Sequence, residues 1–197
     1  MPYGPAPSGA LAPARAPASR SRGVRRRALL LGAVLVCAPV GCIGKRPDGG
    51  GGLLPLGTAA PDFAAKDATD KVVHLSDFGG SPRVVYFYPK DETPGCTREA
   101  CAFRDAYDKF RAKGVIVFGV SRDTEKSHDE FRAAHTLPFP LAADPDGAVQ
   151  KAYGVPSVMP NIAARVSFLV GRDGKVEHVF EKVDPVVHAD EVLDMVK

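Results

Sequence analysis

Pro89-Lys90-Asp91-Glu92-Thr93-Pro94-Gly95-Cys96-Thr97-Arg98-Glu99-Ala100-Cys101 joins two patterns of different period. Before it runs Val84-Val85-Tyr86-Phe87-Tyr88, apolar without a break, as a strand covered on both faces should be. After it, Ala100, Phe103, Tyr107 and Phe110 recur at helical spacing, which predicts one helix from about Cys96 to Lys113, stopped by Gly114. Pro94 and Gly95 punctuate the turn between the two, so Cys96 falls in the first helical turn. The first N–H groups of a helix lack internal partners and carry partial positive charge. A thiol set there is stabilised as thiolate, the reactive form. A second cysteine, Cys101, follows five residues on.

On either side the same alternation continues. Pro61–Lys66 and Lys71–Leu75 flank a polar turn and read as a short hairpin. Val115–Ser121 is a second buried strand, and Asp123 or Thr124 can cap a helix that carries Phe131 and ends near His135. Leu137-Pro138-Phe139-Pro140-Leu141 reads as a short edge strand, because its prolines cannot donate to a ladder. A short helix over Asp146–Tyr153 is stopped by Gly154 and Pro156, and Val155–Asn161 reads as a mobile loop. Val166–Val170 and Lys175–Val183 form a hairpin through Asp173-Gly174, and a helix from about Val187 closes the chain. This order predicts an α/β fold, a central mixed sheet flanked by helices.

Charge is divided unevenly along the chain. Residues 1–46 carry eight of the 26 basic residues and no acidic one, so residues 47–197 hold 18 basic against 23 acidic. A mildly acidic body does not favour a nucleic-acid partner. The basic segment reads as a leader: a Pro/Ala/Ser/Arg-rich start, Arg25-Arg26-Arg27, then an apolar run from Ala28 to Val40. That run is shorter than the ~20 residues a span needs and matches a signal-peptide core. Val40-Gly41-Cys42 after it is similar to a bacterial lipoprotein cleavage site, with Pro39 where that motif usually has leucine. Cys42 is therefore the lipidation candidate and a candidate membrane tether. The reading is an export leader over 1–42, with periplasmic or membrane-anchored localisation, twin-arginine export being one route. A transit peptide removed in an organelle is the alternative. Residues 43–54, with Gly49–Gly52, form a flexible Gly-rich linker, and 55–197 the folded domain.

Within that domain the active-site stretch resembles a known family. Pro89-x-x-x-Thr93-x-x-Cys96 is similar to the active-site signature of peroxiredoxins, a branch of the thioredoxin-like fold. Thr93-Pro94-Gly95-Cys96-Thr97-x-Glu99-Ala100-Cys101 resembles the bacterioferritin comigratory protein, or peroxiredoxin Q, class. Gly119-Val120-Ser121, Ser127-His128, Leu137–Leu141 and Gly154-Val155 agree with it. The resemblance implies a thiol peroxidase acting on hydrogen peroxide and organic hydroperoxides, reduced by a thioredoxin-like dithiol partner; a monomer is expected, since an intramolecular Cys96–Cys101 bond requires no partner subunit. It makes Cys96 the peroxidatic cysteine and Cys101 the resolving one, joined in a Cys96–Cys101 disulfide. Thr93 and Arg165 would complete the peroxide pocket as donors toward the developing charge, and Pro89 would shield the sulfur.

Other readings compete. A thioredoxin-like disulfide exchanger would ordinarily use Cys-x-x-Cys, and a lipid-anchored binding module would need only a structural disulfide. No metal spacing is visible among His74, His128, His135, His178 and His188, and no cofactor is called for. The histidines read as surface residues, Ser127-His128 as capping or surface, and Asp62, Asp91 and Glu99 as solvated.

Overall fold

In the computed structural model, residues 51–196 are described. The leader, with Cys37, Cys42 and the lipidation reading, lies outside them. The chain folds around β3 (Arg83–Phe87), whose five residues are all buried. It pairs in parallel with β4 (Ile116–Ser121) and antiparallel with β8 (Val166–Val170). The seven-stranded mixed sheet has the order β2-β1-β5-β4-β3-β8-β9, with β1 Ala64–Lys66, β2 Val72–His74, β5 Leu141–Ala143 and β9 Val176–Phe180.

Period-2 alternation along β3 divides the core. Val84, Tyr86 and, just beyond the strand, Tyr88 face one layer, with Phe103 of α1 (Pro94–Asp105), Phe110 of α2 (Tyr107–Ala112), Phe131 of α3 (Glu125–His135) and Val192 of α5 (His188–Met195). Val85 and Phe87 face the other layer, with Phe63, Phe118, Tyr153 and Val149 of α4 (Ala148–Ala152). Both faces being covered explains why β3 and β4 lack polar alternation.

The structure changes several expectations. The single helix over Cys96–Lys113 starts two residues earlier and divides at Ala106 into α1 and α2. The proline-bearing strand is not at an edge. Both prolines precede β5, which begins at Leu141 and lies inside the sheet between β4 and β1, so no ladder N–H is demanded of them. The segment read as a mobile loop contains a hairpin, β6 (Ser157–Met159) with β7 (Ile162–Ala163), turned by Asn161 at φ 61°. Arg122 Nη2 donates to Asn161 Oδ1 at 3.1 Å and fastens that turn to the body. Leu54, placed in the linker by sequence, is 1% exposed, and its N–H donates to Tyr153 O at 3.0 Å, so the packed body begins before residue 55.

Gly119, in the middle of β4, shows how closely this layer packs. A Cβ there would lie 2.7 Å from Leu141 Cδ2 and 2.8 Å from Tyr86 Oη. Gly119→Ala is expected to destabilise the domain by ~1–3 kcal/mol through overpacking. Urea unfolding checks this, and an unshifted midpoint would mean that Leu141 and Tyr86 yield freely.

Candidate active site

Strand β3 delivers the chain to the site, and antiparallel β8 begins beside its end, with Phe87 opposite Val166. Arg165, one residue before β8, therefore meets the segment that leaves β3. That segment turns through Pro89–Thr93 into α1, with Thr93 as N-cap, Pro94 at N1 and Cys96 at N3. The first intrahelical bond runs from Thr97 N–H to Thr93 O at 2.9 Å, so the N–H groups of Gly95 and Cys96 precede the ladder.

Cys96 is 1% exposed, and its sulfur accepts from Arg165 Nη2 at 3.2 Å. Gly95 makes room for this approach, since a Cβ there would stand 3.3 Å from the same Nη2. The other arm of Arg165, Nη1, is bonded to Glu99 Oε2. Glu99 is wholly buried and its Oε1 has no partner among the described residues. Burial pushes its carboxyl up to about 7 against the opposing pull of Arg165. Burial pulls the Arg165 guanidinium down, but Glu99 and Cys96 outweigh it and the net shift is upward. The charge of the guanidinium is thus shared between a sulfur and a carboxyl.

Thr93 departs from its expected use as a donor. Its hydroxyl gives its proton to Lys90 O at 2.9 Å, so the Oγ lone pairs are what it can offer an incoming molecule. Cys101 is partly exposed, and both thiols are free. Pro89 is half-buried at the start of the loop.

Sequence reasoning placed Glu99, Asp91, His128 and His188 in solvent, and the structure buries all four. Glu99 shares a face with Cys96, Ala100 and Phe103 at spacings of three and four, a signal that was legible. His128 precedes Phe131 by three in the same way. Asp91 collects the Tyr88 hydroxyl at 2.8 Å, the Ser127 hydroxyl at 2.7 Å and His128 Nδ1 at 2.9 Å. Burial raises the Asp91 carboxyl, but the contacts from His128, Ser127 and Tyr88 outweigh it and hold it below the usual range. His188 lies edge-on to Phe103 and Phe180 with Nε2 2.8 Å from Ser167 Oγ. Burial, and then the Arg165 charge, lower it to about 4, so it is neutral. Among the described residues no group of three His, Cys, Asp or Glu is disposed to hold a metal ion, and no helix is long and apolar enough to cross a membrane.

This arrangement can hold a thiolate beside a fixed cation and present donors to an oxygen leaving it. Comparison with known proteins points the same way. The AhpC/TSA family model matches residues 56–179. The chloroplastic peroxiredoxin Q of Sedum lineare is 43% identical over 143 residues, 72% of this chain and 77% of that protein. The putative chloroplastic peroxiredoxin Q of Oryza sativa subsp. indica is 41% identical over 148 residues, 74% of this chain and 68% of that protein. Among solved structures, peroxiredoxin Q of Xanthomonas campestris is 35% identical with a TM-score of 0.64, over 74% of this chain and 96% of that one. Peroxidoxin BcpB of Mycobacterium tuberculosis is 30% identical with a TM-score of 0.66, over 73% of this chain and 96% of that one. With a thioredoxin-like fold and relatives of this kind, the chain belongs to the AhpC/TSA family and, within it, to the peroxiredoxin Q class of thiol peroxidases.

Proposed function

We propose that Cys96 is the peroxidatic thiol of this peroxidase and Cys101 its resolving partner. The observation that carries the reading is the buried Cys96 sulfur with Arg165 Nη2 at 3.2 Å, at the start of a helix. The thiolate attacks one oxygen of a hydroperoxide and the O–O bond breaks. The sulfur becomes sulfenic acid, and the other oxygen leaves as alkoxide or hydroxide and takes up a proton. Arg165 and the Cys96 N–H face that developing charge, while Thr93 Oγ accepts from the hydroperoxide O–H. Pro89 limits water at the sulfur. The Cys101 thiol then attacks the sulfenic sulfur, water leaves, and a dithiol protein of thioredoxin type reduces the disulfide. The alkyl peroxide reduction activity of a solved relative, the Xanthomonas campestris bacterioferritin comigratory protein, supports organic hydroperoxides as substrates beside hydrogen peroxide.

Resolution requires α1 to open. Cα atoms five apart in an intact helix are roughly 8–9 Å apart, beyond the ~7 Å a disulfide tolerates. The helix starts weakly, because the Thr93 side chain caps no N–H of its first turn, a contribution of ~1 kcal/mol forgone. An intramolecular Cys96–Cys101 bond requires no partner subunit, which supports action as a monomer. For residues 1–42, the chloroplastic names of the plant relatives favour an organellar targeting segment over the lipoprotein reading with acylated Cys42.

Mixing the reduced protein with one equivalent of hydrogen peroxide tests the reading. Rapid loss of both thiols and a Cys96–Cys101 disulfide in the mapped peptides are expected, and Cys101→Ser should stall at Cys96 sulfenic acid. Oxidation no faster than that of free cysteine would sink it.

A further inference from the structure

The loop between β3 and α1 is held from below by a buried Asp–His pair that touches none of the reacting groups. Asp91 is 4% exposed and His128, in the first turn of α3, is 2% exposed. His128 Nδ1 is 2.9 Å from Asp91 Oδ2, and Nε2 is 3.2 Å from Ala142 O. A backbone carbonyl and an ionised carboxylate only accept, so each ring nitrogen faces an acceptor. Tyr88 and Ser127 also donate to the carboxylate. The backbone is tied as well, since Asp91 N–H donates to Asp123 Oδ2 at 3.0 Å, an atom that also takes the Ser121 hydroxyl at 2.6 Å.

What this clamp fixes lies on both sides of Asp91. Lys90, the preceding residue, offers the carbonyl that receives the Thr93 proton. Glu92, the following one, is held at φ 58°, a left-handed conformation that a non-glycine residue keeps only under outside constraint. A buried ion pair is a poor source of stability relative to apolar packing, and the best-attested use of such pairs is to select one arrangement.

We propose that the buried Asp91–His128 pair, closed off by Tyr88 and Ser127, is the positioning unit of the peroxide pocket. It fixes the Lys90 carbonyl, which consumes the Thr93 proton, and so leaves the Thr93 oxygen facing the hydroperoxide as an acceptor. This rests on the reading of Cys96 and Thr93 given above.

The test compares two electrophiles on Cys96 of the reduced full chain. Hydrogen peroxide needs the pocket, whereas iodoacetamide needs only the sulfur. Rates would be taken by rapid quench and peptide mass spectrometry for the wild type, Asp91→Asn, His128→Gln and the double variant. The single variants are expected to slow peroxide roughly 10- to 100-fold, the scale of a ~1 Å misplacement, with iodoacetamide changed by less than about twofold. The double variant should lose no more than the worse single one, because the pair acts as a unit. Parallel falls in both rates, an unchanged peroxide rate or multiplying losses would overturn the proposal. Should these variants not fold, Tyr88→Phe and Ser127→Ala each remove one hydroxyl without stranding a charge. Each should slow peroxide alone about 3- to 10-fold, the scale of one ordinary hydrogen bond, and no change in either overturns it. A wild type no faster than free cysteine sinks the Cys96 reading itself, whereas a fast wild type with unaffected variants sinks only the positioning unit.

Discussion

Cys96→Ser is expected to lower the peroxide reaction by at least ~10³-fold, to the level of an ordinary thiol, with the fold intact. The serine hydroxyl is close to isosteric with the thiol and can accept from Arg165 as the sulfur does at 3.2 Å. It is not ionised at neutral pH, however, and nothing within reach serves as a base to activate it. The remaining thiol does not inherit the role. Cys101 lies five residues along α1, about 140° round the helix from Cys96, and is partly exposed with no arginine bonded to it among the described residues. Peroxide consumption in competition with a second peroxidase measures the loss. Retention of more than about a tenth of the rate would move the chemistry to Cys101, a result the electrostatics of the site do not allow. The companion variant Cys101→Ser separates a peroxidase from a disulfide exchanger. With added thiol, Cys96 alone continues to reduce peroxide, whereas exchange between disulfides needs both sulfurs.

The parts of this site visible in the sequence are those whose determinants are local. The β3 run announces a buried strand, and Pro94-Gly95 before an apolar stripe announces a helix start, so Cys96 is located by its neighbours alone. Arg165 is different. Its partner is 69 residues away, no local pattern joins them, and only the family resemblance brought it into the site. Glu99 and Asp91 were read as solvated because a charged residue without a visible partner usually is. Their partners, Arg165 and His128, stand 66 and 37 residues away, joined to them by the antiparallel return of β8 and the crossover through α3. The edge assignment of Leu137–Leu141 went wrong for a related reason. Proline forbids a ladder bond only at its own residue, and the strand begins one residue after the second proline.

Arg165→Met should produce two losses with different causes, and a second substitution can separate them. Removing the guanidinium deprives the Cys96 thiolate of its counter-charge and the leaving oxygen of a donor. The expected cost is ~10²- to 10³-fold in the peroxide rate. It also leaves Glu99, wholly buried, without the cation bonded to it. The sign of the stability change follows from the direction of the Glu99 shift. Its folded carboxyl is raised from 4.5 to about 7, so the stability it contributes is complete below pH ~4.5 and is lost as pH rises through about 7. In the wild type that loss levels off above 7 at ~3 kcal/mol, at about 1.4 kcal/mol per pH unit. Without Arg165 the carboxyl is pushed higher, and stability goes on falling by about 1.4 kcal/mol per unit as the pH climbs past 7. Urea unfolding at pH 5 and pH 8.5 should therefore find Arg165→Met near the wild type at the lower pH and clearly weaker at the higher. Adding Glu99→Gln removes that titrating group, so the double variant should show no fall in stability above pH 7, keeping only the rise with pH below about 6.5 that the lowered His188 contributes. Its peroxide rate should stay at the level of the single variant. Recovery of the rate along with stability would mean that Arg165 serves only to neutralise Glu99, and the charge at 3.2 Å from the sulfur would lose its place in the chemistry.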